Sequence, residues 1–260
     1  MTEIIETKGA RIALKEQGSG EPALVFLHYW GGTGRTWHHV ASRLSDAHLL
    51  MPDLRGWGSS VAVDGRYDLD AMADDVAALI AAKGIKRFAL VGHSMGGKIA
   101  QMLAMRNLAG LSGLVLVAPA PPSPMPVPAE IRAAMLASYQ SAEGVAQALG
   151  VLTSNPLPAA DRAMVEEDTL GGVEDAKRAW PEAGMMADLG QGLSAFTGPV
   201  TILLGSADRI EDPERLRTIY AGQLPQAEFR LIEGSGHLSP LEAPEAVAAA
   251  CRDMLARLAG

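Results

Sequence analysis

The stretch Phe88-Ala-Leu-Val-Gly-His-Ser-Met-Gly-Gly97 decides the fold of this chain. Its first four residues form a short, continuously apolar run, which is typical of a strand covered on both faces. Gly92, Ser94 and Gly96 form a Gly-x-Ser-x-Gly pentapeptide, and a helical pattern begins at Met95. Because a tight turn between strand and helix lifts the serine hydroxyl out at the head of the helix, the pattern favours a nucleophilic serine over a simple helix cap.

Similar apolar runs recur along the chain and alternate with helical patterns. This alternation predicts an α/β fold in which helices flank a mainly parallel central sheet. The first twenty residues indicate an antiparallel hairpin at one edge of that sheet. The other apolar runs cover residues 23–27, 49–51, 114–117, 200–204 and 229–232, and the helical patterns cover 36–44, 69–82, 95–107, 213–221 and 244–258.

The alternation stops after Ala118. Six prolines lie between Pro119 and Pro128 and exclude both a helix and a central strand there. Only helical patterns follow, as far as about Gly192. We therefore expect a helical cap at residues 119–192, inserted near the carboxyl edge of the sheet into a core domain made of residues 1–118 and 193–260. The expected cap helices cover residues 129–138, 142–149, 159–167 and 174–186.

A serine hydroxyl becomes a nucleophile only when a base removes its proton and a carboxylate orients that base. Asp208 lies shortly after the run that ends at Leu204, and His237 lies shortly after the run that ends at Ile232. Both are on glycine-bearing loops at the sheet edge expected for Ser94. Alone, the aspartate could cap a helix and the histidine could be a solvated loop residue. Together the three residues indicate a Ser-His-Asp triad.

The motifs taken together resemble those of the α/β-hydrolase superfamily, in its branch of serine-dependent esterases, lactonases and perhydrolases. The resemblance covers nearly the whole chain except the cap, and the chain order serine, aspartate, histidine agrees with it. Besides the pentapeptide, it rests on Leu27-His-Tyr-Trp-Gly-Gly32, Pro52-Asp-Leu-Arg-Gly-Trp-Gly-Ser59, Gly205-Ser-Ala-Asp208 and Gly236-His-Leu-Ser-Pro-Leu-Glu242.

The resemblance also implies an oxyanion hole. One donor is the backbone N–H of Met95, and the usual His-Gly-x spacing makes Trp30 the other. This sequence has Tyr29 where the family usually has glycine, so we expect that side chain to point into the substrate pocket or to reshape the loop. Trp180, in the expected cap, is a further candidate for lining the pocket.

These residues predict a serine hydrolase that cleaves a small or medium carboxylic ester through an acyl-enzyme. Lactone hydrolysis, carbon–carbon bond hydrolysis of diketones and cofactor-free perhydrolysis or haloperoxidation remain open on the same triad. A non-catalytic small-molecule receptor on the same fold is the alternative from another class. Epoxide hydrolases and haloalkane dehalogenases are disfavoured, because their nucleophile is an aspartate and Ser94 stands at that position.

The composition of the 260 residues excludes several other classes. The net charge is −8 and the densest basic cluster is Lys86-Arg87, so no nucleic-acid partner is expected. A single cysteine, Cys251, allows neither an internal disulfide nor a thiolate metal cage. There is no secretory leader pattern and no apolar run of about 18 residues, so we expect a cytoplasmic protein without a membrane partner.

No cofactor is expected either. The loop Gly31-Gly-Thr-Gly-Arg-Thr36 has Arg35 where a phosphate-binding loop requires lysine. Dinucleotide-binding and zinc-protease motifs are absent from the sequence. His38 and His39 are adjacent, so their side chains are expected to diverge on a helix, and no metal site is predicted.

Overall fold

The computed structural model describes residues 2–260, and within them nine strands form one sheet. The strands are β1 (Thr2–Glu6), β2 (Ala10–Gln17), β3 (Ala23–Leu27), β4 (Leu49–Pro52), β5 (Val61–Ala62), β6 (Phe88–His93), β7 (Leu111–Val117), β8 (Val200–Gly205) and β9 (Glu228–Ile232). Their spatial order is β1-β2-β4-β3-β6-β7-β8-β9, with β5 paired to β2 outside this path.

Ten α-helices surround the sheet in the same part of the chain. They are α1 (His38–Ala41), α2 (Leu69–Ala82), α3 (Met95–Met105), α4 (Ala129–Ser138), α5 (Ala142–Leu152), α6 (Ala159–Gly171), α7 (Glu174–Glu182), α8 (Pro213–Gln223), α9 (Ser239–Glu242) and α10 (Pro244–Ala259). Short 3₁₀ turns cover Gly34–Trp37, Gly184–Met186 and Gly192–Ala195. No helix in residues 2–260 combines the length and the apolar character that a membrane crossing requires.

The mainly parallel α/β architecture predicted from the sequence is confirmed. Strands β4, β3, β6, β7, β8 and β9 pair in parallel, and β1 and β2 form the antiparallel hairpin at one edge. Helices pack on both faces of the sheet: α2, α3 and α8 contribute to one apolar cluster, and α1 and α10 contribute to the other. Burial on both faces explains why the central strands are continuously apolar rather than alternating.

Two elements differ from the prediction. Residues 36–44, expected as one helix, form the end of a 3₁₀ turn followed by the single turn α1. The Ser42 hydroxyl donates to the His39 carbonyl there, a local bond that competes with helix continuation. The last expected cap helix, 174–186, is interrupted after Glu182, one residue beyond Pro181, and continues only as a 3₁₀ turn.

The segment between β7 and β8 contains α4 to α7 and no strand among its described residues. Helices α5 and α6 run three and four residues further than expected, to Leu152 and Gly171. The arrangement fits an inserted helical cap, and we propose the division into a core (1–118 and 193–260) and a cap (119–192) on this basis.

The start of α3 lies unusually close to β3. A Cβ atom added at Gly96 would overlap the backbone carbonyl of Leu27, and one added at Gly92 would lie 2.5 Å from the Gly96 carbonyl oxygen. Both neighbours are backbone atoms and cannot rotate away. Only glycine at these positions lets the helix begin directly against the strands.

We therefore expect Gly96→Ala to lower the free energy of unfolding by about 2–3 kcal/mol, because the methyl group forces α3 away from β3. Urea unfolding followed by circular dichroism measures this. The matched control is Gly150→Ala in exposed α5, where an added Cβ meets nothing within 4 Å. That variant should be neutral or more stable by up to about 1 kcal/mol, and equal losses in both variants would contradict the close-approach explanation.

Candidate active site

Ser94 lies in the turn between β6 and α3, with φ 51° and ψ −114°. A non-glycine residue with positive φ costs about 1–3 kcal/mol and persists only when its surroundings hold it. The Ser94 N–H donates to the Val117 carbonyl, and its own carbonyl accepts from the N–H groups of Lys98 and Ala120, each at 3.1 Å. The turn is thus fixed from three directions, and Ser94 remains 9% exposed.

His237 and Asp208 are brought together from the loops after β9 and β8. The His237 Nδ1 and Asp208 Oδ2 atoms are 2.8 Å apart, and both side chains are almost fully buried. The other carboxylate oxygen, Oδ1, accepts from the N–H groups of Ile210 and Glu211 at 2.8 and 3.1 Å. Asp208 therefore orients the imidazole while its own position is fixed by the backbone. Helix α8 is capped by Asp212 instead, whose side chain accepts from the Arg215 N–H.

Ser94 and His237 are linked through His93, the residue just before the serine. The His93 Nε2 lies 2.8 Å from the His237 carbonyl oxygen, and the two imidazole centroids are 5.2 Å apart. Within residues 2–260, Ser94 Oγ makes no side-chain hydrogen bond. In free enzymes the bond between nucleophile and base often tightens only when substrate binds. The pairing of Ser94 Oγ with His237 Nε2 therefore stays a prediction.

Charge and burial act in opposite directions on the two titratable groups. Burial raises the pKa of Asp208, but the charge of His237 and the hydrogen bonds to the carboxylate lower it by more than burial raises it. The pKa of Asp208 therefore lies below its usual value. Burial lowers the pKa of His237, but the charge and hydrogen bond of Asp208 raise it above 6.5. By contrast, burial lowers the pKa of His93 to about 3, which keeps that ring neutral.

The loop after β3 carries the predicted second oxyanion donor. Tyr139, the residue that follows α4, donates its hydroxyl to the Trp30 carbonyl at 3.0 Å, and its ring stacks on the Trp30 indole with centroids 3.9 Å apart. Thr169 from α6 donates to the Gly31 carbonyl at 3.0 Å. The N–H groups of Trp30 and Met95 have no hydrogen-bond partner among the described residues. Two free donors therefore lie in the turns expected to form the oxyanion hole.

Tyr29 is packed rather than open to solvent. Its ring lies 5.2 Å from that of His93 and belongs to an apolar cluster with Val145, Leu149 and Leu238. Its buried hydroxyl has no partner in residues 2–260. This geometry favours a packing role, and contact with substrate stays a prediction. Trp180, the other predicted lining residue, is also buried and belongs to the main apolar cluster.

The expected cap also holds the loop of the base. The carbonyl of Leu152, the last residue of α5, accepts from the N–H groups of His237 and Leu238 at 2.8 and 3.2 Å. Glu242 accepts from the N–H of Gly236 at 3.0 Å and from that of Ser154 at 2.8 Å. The position of His237 therefore depends on how α5 packs against the core.

Sequence reasoning missed two buried ionisable residues near the triad. Glu211 is 2% exposed, its Oε2 has no partner in residues 2–260, and burial raises its pKa to about 7. Lys98 is fully buried in α3, its Nζ donates to the Ser123 carbonyl at 3.2 Å, and burial lowers its pKa to about 8. Glu211 is three residues after Asp208, and Lys98 is four residues after Ser94. This spacing was the only sign in the sequence that they lie near the triad, because burial is not visible in a sequence.

Comparison with known proteins agrees with this geometry. A sequence model of the alpha/beta hydrolase family matches residues 24–250, which is most of the chain. The chain belongs to the alpha/beta hydrolase family. Membership confirms the resemblance inferred from the motifs and supports hydrolase chemistry.

Similar proteins carry several activities on this fold. Curated Escherichia coli relatives named 2-succinyl-6-hydroxy-2,4-cyclohexadiene-1-carboxylate synthase are 39% identical over 99 residues, but the match covers only 37% of this chain and 38% of theirs. A solved esterase from Exiguobacterium antarcticum has a TM-score of 0.89 at 21% identity, covering 98% of this alpha/beta hydrolase and 100% of the esterase. A thermophilic esterase from Thermogutta terrifontis has a TM-score of 0.82 at 25% identity, covering 99% of each chain.

Burial and the charge of Asp208 have opposite effects on the pKa of His237, and a substitution at Asp208 separates the two. Asp208→Asn removes the negative charge that raises the pKa of His237, while the burial that lowers this pKa remains. The pKa of His237 should therefore fall below 6.5, its ordinary value. Nuclear magnetic resonance titration of the imidazole measures this. The control is Asp46→Asn, which removes an exposed carboxylate elsewhere on the chain and should leave the His237 titration unchanged. An unaltered His237 titration in Asp208→Asn would show that Asp208 does not govern this imidazole.

Proposed function

We propose that this protein is a serine hydrolase that cleaves a small or medium carboxylic ester through an acyl-enzyme intermediate. The observation that carries the proposal is the 2.8 Å contact between His237 Nδ1 and Asp208 Oδ2. The positive φ of Ser94, in the turn between β6 and α3, supports it. These three residues are the proposed catalytic residues, and family membership supports hydrolase chemistry.

In the proposed reaction, Ser94 Oγ attacks the acyl carbon while His237 Nε2 takes the hydroxyl proton. The imidazolium then gives this proton to the leaving alcohol. A water molecule, activated by the same imidazole, attacks the acyl-enzyme and releases the carboxylic acid. Asp208 accepts the Nδ1 proton in a hydrogen bond, which leaves the Nε2 lone pair for the serine.

The backbone N–H groups of Met95 and Trp30 are the proposed donors to the oxyanion. Met95 is the first residue of α3, so its N–H has no partner within the helix and lies at the positive end of the helix dipole. The carbonyls of the Trp30 loop are occupied by Tyr139 and Thr169, which holds that loop in one conformation. A single oxyanion donor typically contributes about 10²–10³ in turnover.

An apolar acyl group is the proposed substrate feature. Trp180, Met125 and Met185 come from the expected cap and belong to the same apolar cluster as Trp30 and Met95. A substrate bound between the cap and the oxyanion donors would therefore meet mainly apolar side chains. We propose that Trp180 lines this space and that Tyr29 shapes it from behind the oxyanion loop.

Synthesis of 2-succinyl-6-hydroxy-2,4-cyclohexadiene-1-carboxylate is a second candidate, favoured by the 39% identity to the curated relatives over 99 residues. That reaction, lactone hydrolysis, diketone cleavage and perhydrolysis could all use the same serine, base and acid. An assay panel that contains each substrate class ranks them by turnover, with the short esters expected to rank first.

We expect Ser94→Ala to lower turnover of a short activated aryl ester by at least about 10⁴-fold, because the variant has no nucleophile to form the acyl-enzyme. A fluorophosphonate probe should label the unaltered protein and not the variant. Ser45→Ala, which removes an exposed hydroxyl, is the control and should be labelled normally.

Two outcomes would contradict the proposal in different ways. If Ser94→Ala is labelled and active like the unaltered protein, the nucleophile is misassigned. If the unaltered protein is neither labelled nor active, the enzyme proposal fails and a receptor role on the same fold is favoured.

A further inference from the structure

His38 and His39 converge on one carboxylate, contrary to the prediction that they diverge. Their ring centroids are 3.7 Å apart. The Nε2 atom of His39 lies 3.0 Å from Asp161 Oδ2, and that of His38 lies 3.3 Å from Asp161 Oδ1. The Cα–Cβ bonds of two adjacent helical residues point in different directions. Here, however, both imidazole rings turn toward α6. The prediction that the two side chains diverge is therefore wrong.

The hydrogen bond on the far side of His38 determines which ring nitrogen faces Asp161. His38 Nδ1 lies 2.9 Å from the Arg35 carbonyl, which can only accept, so Nδ1 carries the proton. The Nε2 atom of His38 therefore faces the Asp161 carboxylate and is the ring nitrogen that can bind a metal ion. Metal-binding histidines characteristically donate their other ring N–H to a backbone carbonyl in this way.

We propose that His38, His39 and Asp161 bind a divalent metal ion of the zinc type. Zinc takes imidazole nitrogens and carboxylate oxygens at about 2.0–2.2 Å, so neighbouring ligands in a tetrahedral site lie about 3.3 Å apart. The separations of 3.0 Å from His39 Nε2 to Oδ2 and 3.3 Å from His38 Nε2 to Oδ1 are close to this spacing. One ligand atom from each of the three residues lies within 4.8 Å of the other two.

The cluster is open to solvent on the side of the two histidines. Asp161 is buried, but the His38 and His39 side chains are 33% and 36% exposed, so an ion can enter from solvent. Among the described residues, the Asp161 carboxylate contacts no basic side chain other than these histidines. Nitrogen ligands favour zinc and its neighbours over magnesium or calcium, which prefer oxygen ligands alone.

The ion would join the core to the expected cap. His38 and His39 begin α1, and Asp161 lies in the first turn of α6. The same α6 contacts the core through Thr33 Oγ1, which donates to Asp168 at 2.8 Å, and through Thr169, which donates to the Gly31 carbonyl. Metal bound here stabilises the packing of α6 against the loop that carries Trp30, at a distance from the triad chemistry.

The test is zinc binding to the metal-stripped full chain, measured by equilibrium dialysis with zinc chloride. We expect one zinc ion per chain, and a rise in melting temperature with zinc concentration because the folded state binds the ion. His39→Gln and Asp161→Asn should each weaken the affinity by about tenfold or more. They should also lose the zinc-dependent rise in melting temperature.

The matched control is His48→Gln. His48 also has a backbone carbonyl, that of Gly20, on Nδ1 and a carboxylate, that of Glu16, on Nε2, but no second imidazole. Replacement of the His48 imidazole should therefore leave the number of zinc ions bound per chain unchanged. Circular dichroism of the zinc-free variants verifies their folding, and His38→Gln replaces any variant that does not fold. Absence of bound zinc, or equal loss in His39→Gln and His48→Gln, would overturn the proposal.

Discussion

The left-handed backbone at Ser94 is the constraint on which the rest of the site depends. It reverses the chain between β6 and α3 over a single residue and leaves the Met95 N–H at the free end of the helix. Its cost is offset by hydrogen bonds to Val117, the last residue of the neighbouring β7, and to Ala120, three residues further along the chain. Because Gly96 permits the close contact with β3, the oxyanion loop after β3 and the serine turn meet at the same edge of the sheet.

The segment between β7 and β8 contacts both loops that carry the candidate site residues. Tyr139 and Thr169 bind carbonyls of the oxyanion loop, and Leu152 binds the N–H of His237. The oxyanion loop and the loop of the base therefore both depend on the packing of this segment against the core. Movement of α4, α5 or α6 would change the alignment of the reacting groups. The proposed metal site at α1 and α6 lies on this same interface, which gives the ion a means to influence the site without contacting the substrate.

Much of the architecture could be predicted because parallel strands buried on both faces leave an unambiguous apolar signal. The boundaries of β3, α2 and α4 agree with the predicted segments to the residue. The two-residue strand β5 and the single turn α1 are too short to produce a periodic pattern. The contact of His237 with Asp208 followed from loop positions at strand ends. The burial of Glu211 and the convergence on Asp161 could not be predicted, since both arise from contacts between segments distant in sequence.

The most direct test of the central claim is a crystal structure of the protein after reaction with a small phosphonate ester. The account predicts phosphorus bonded to Ser94 Oγ, with the phosphoryl oxygen about 3 Å from the nitrogens of Met95 and Trp30. It also predicts that His237 Nε2 faces the phosphonate while Nδ1 keeps its bond to Asp208. Phosphorus on another residue, or a phosphoryl oxygen held away from both nitrogens, would contradict it.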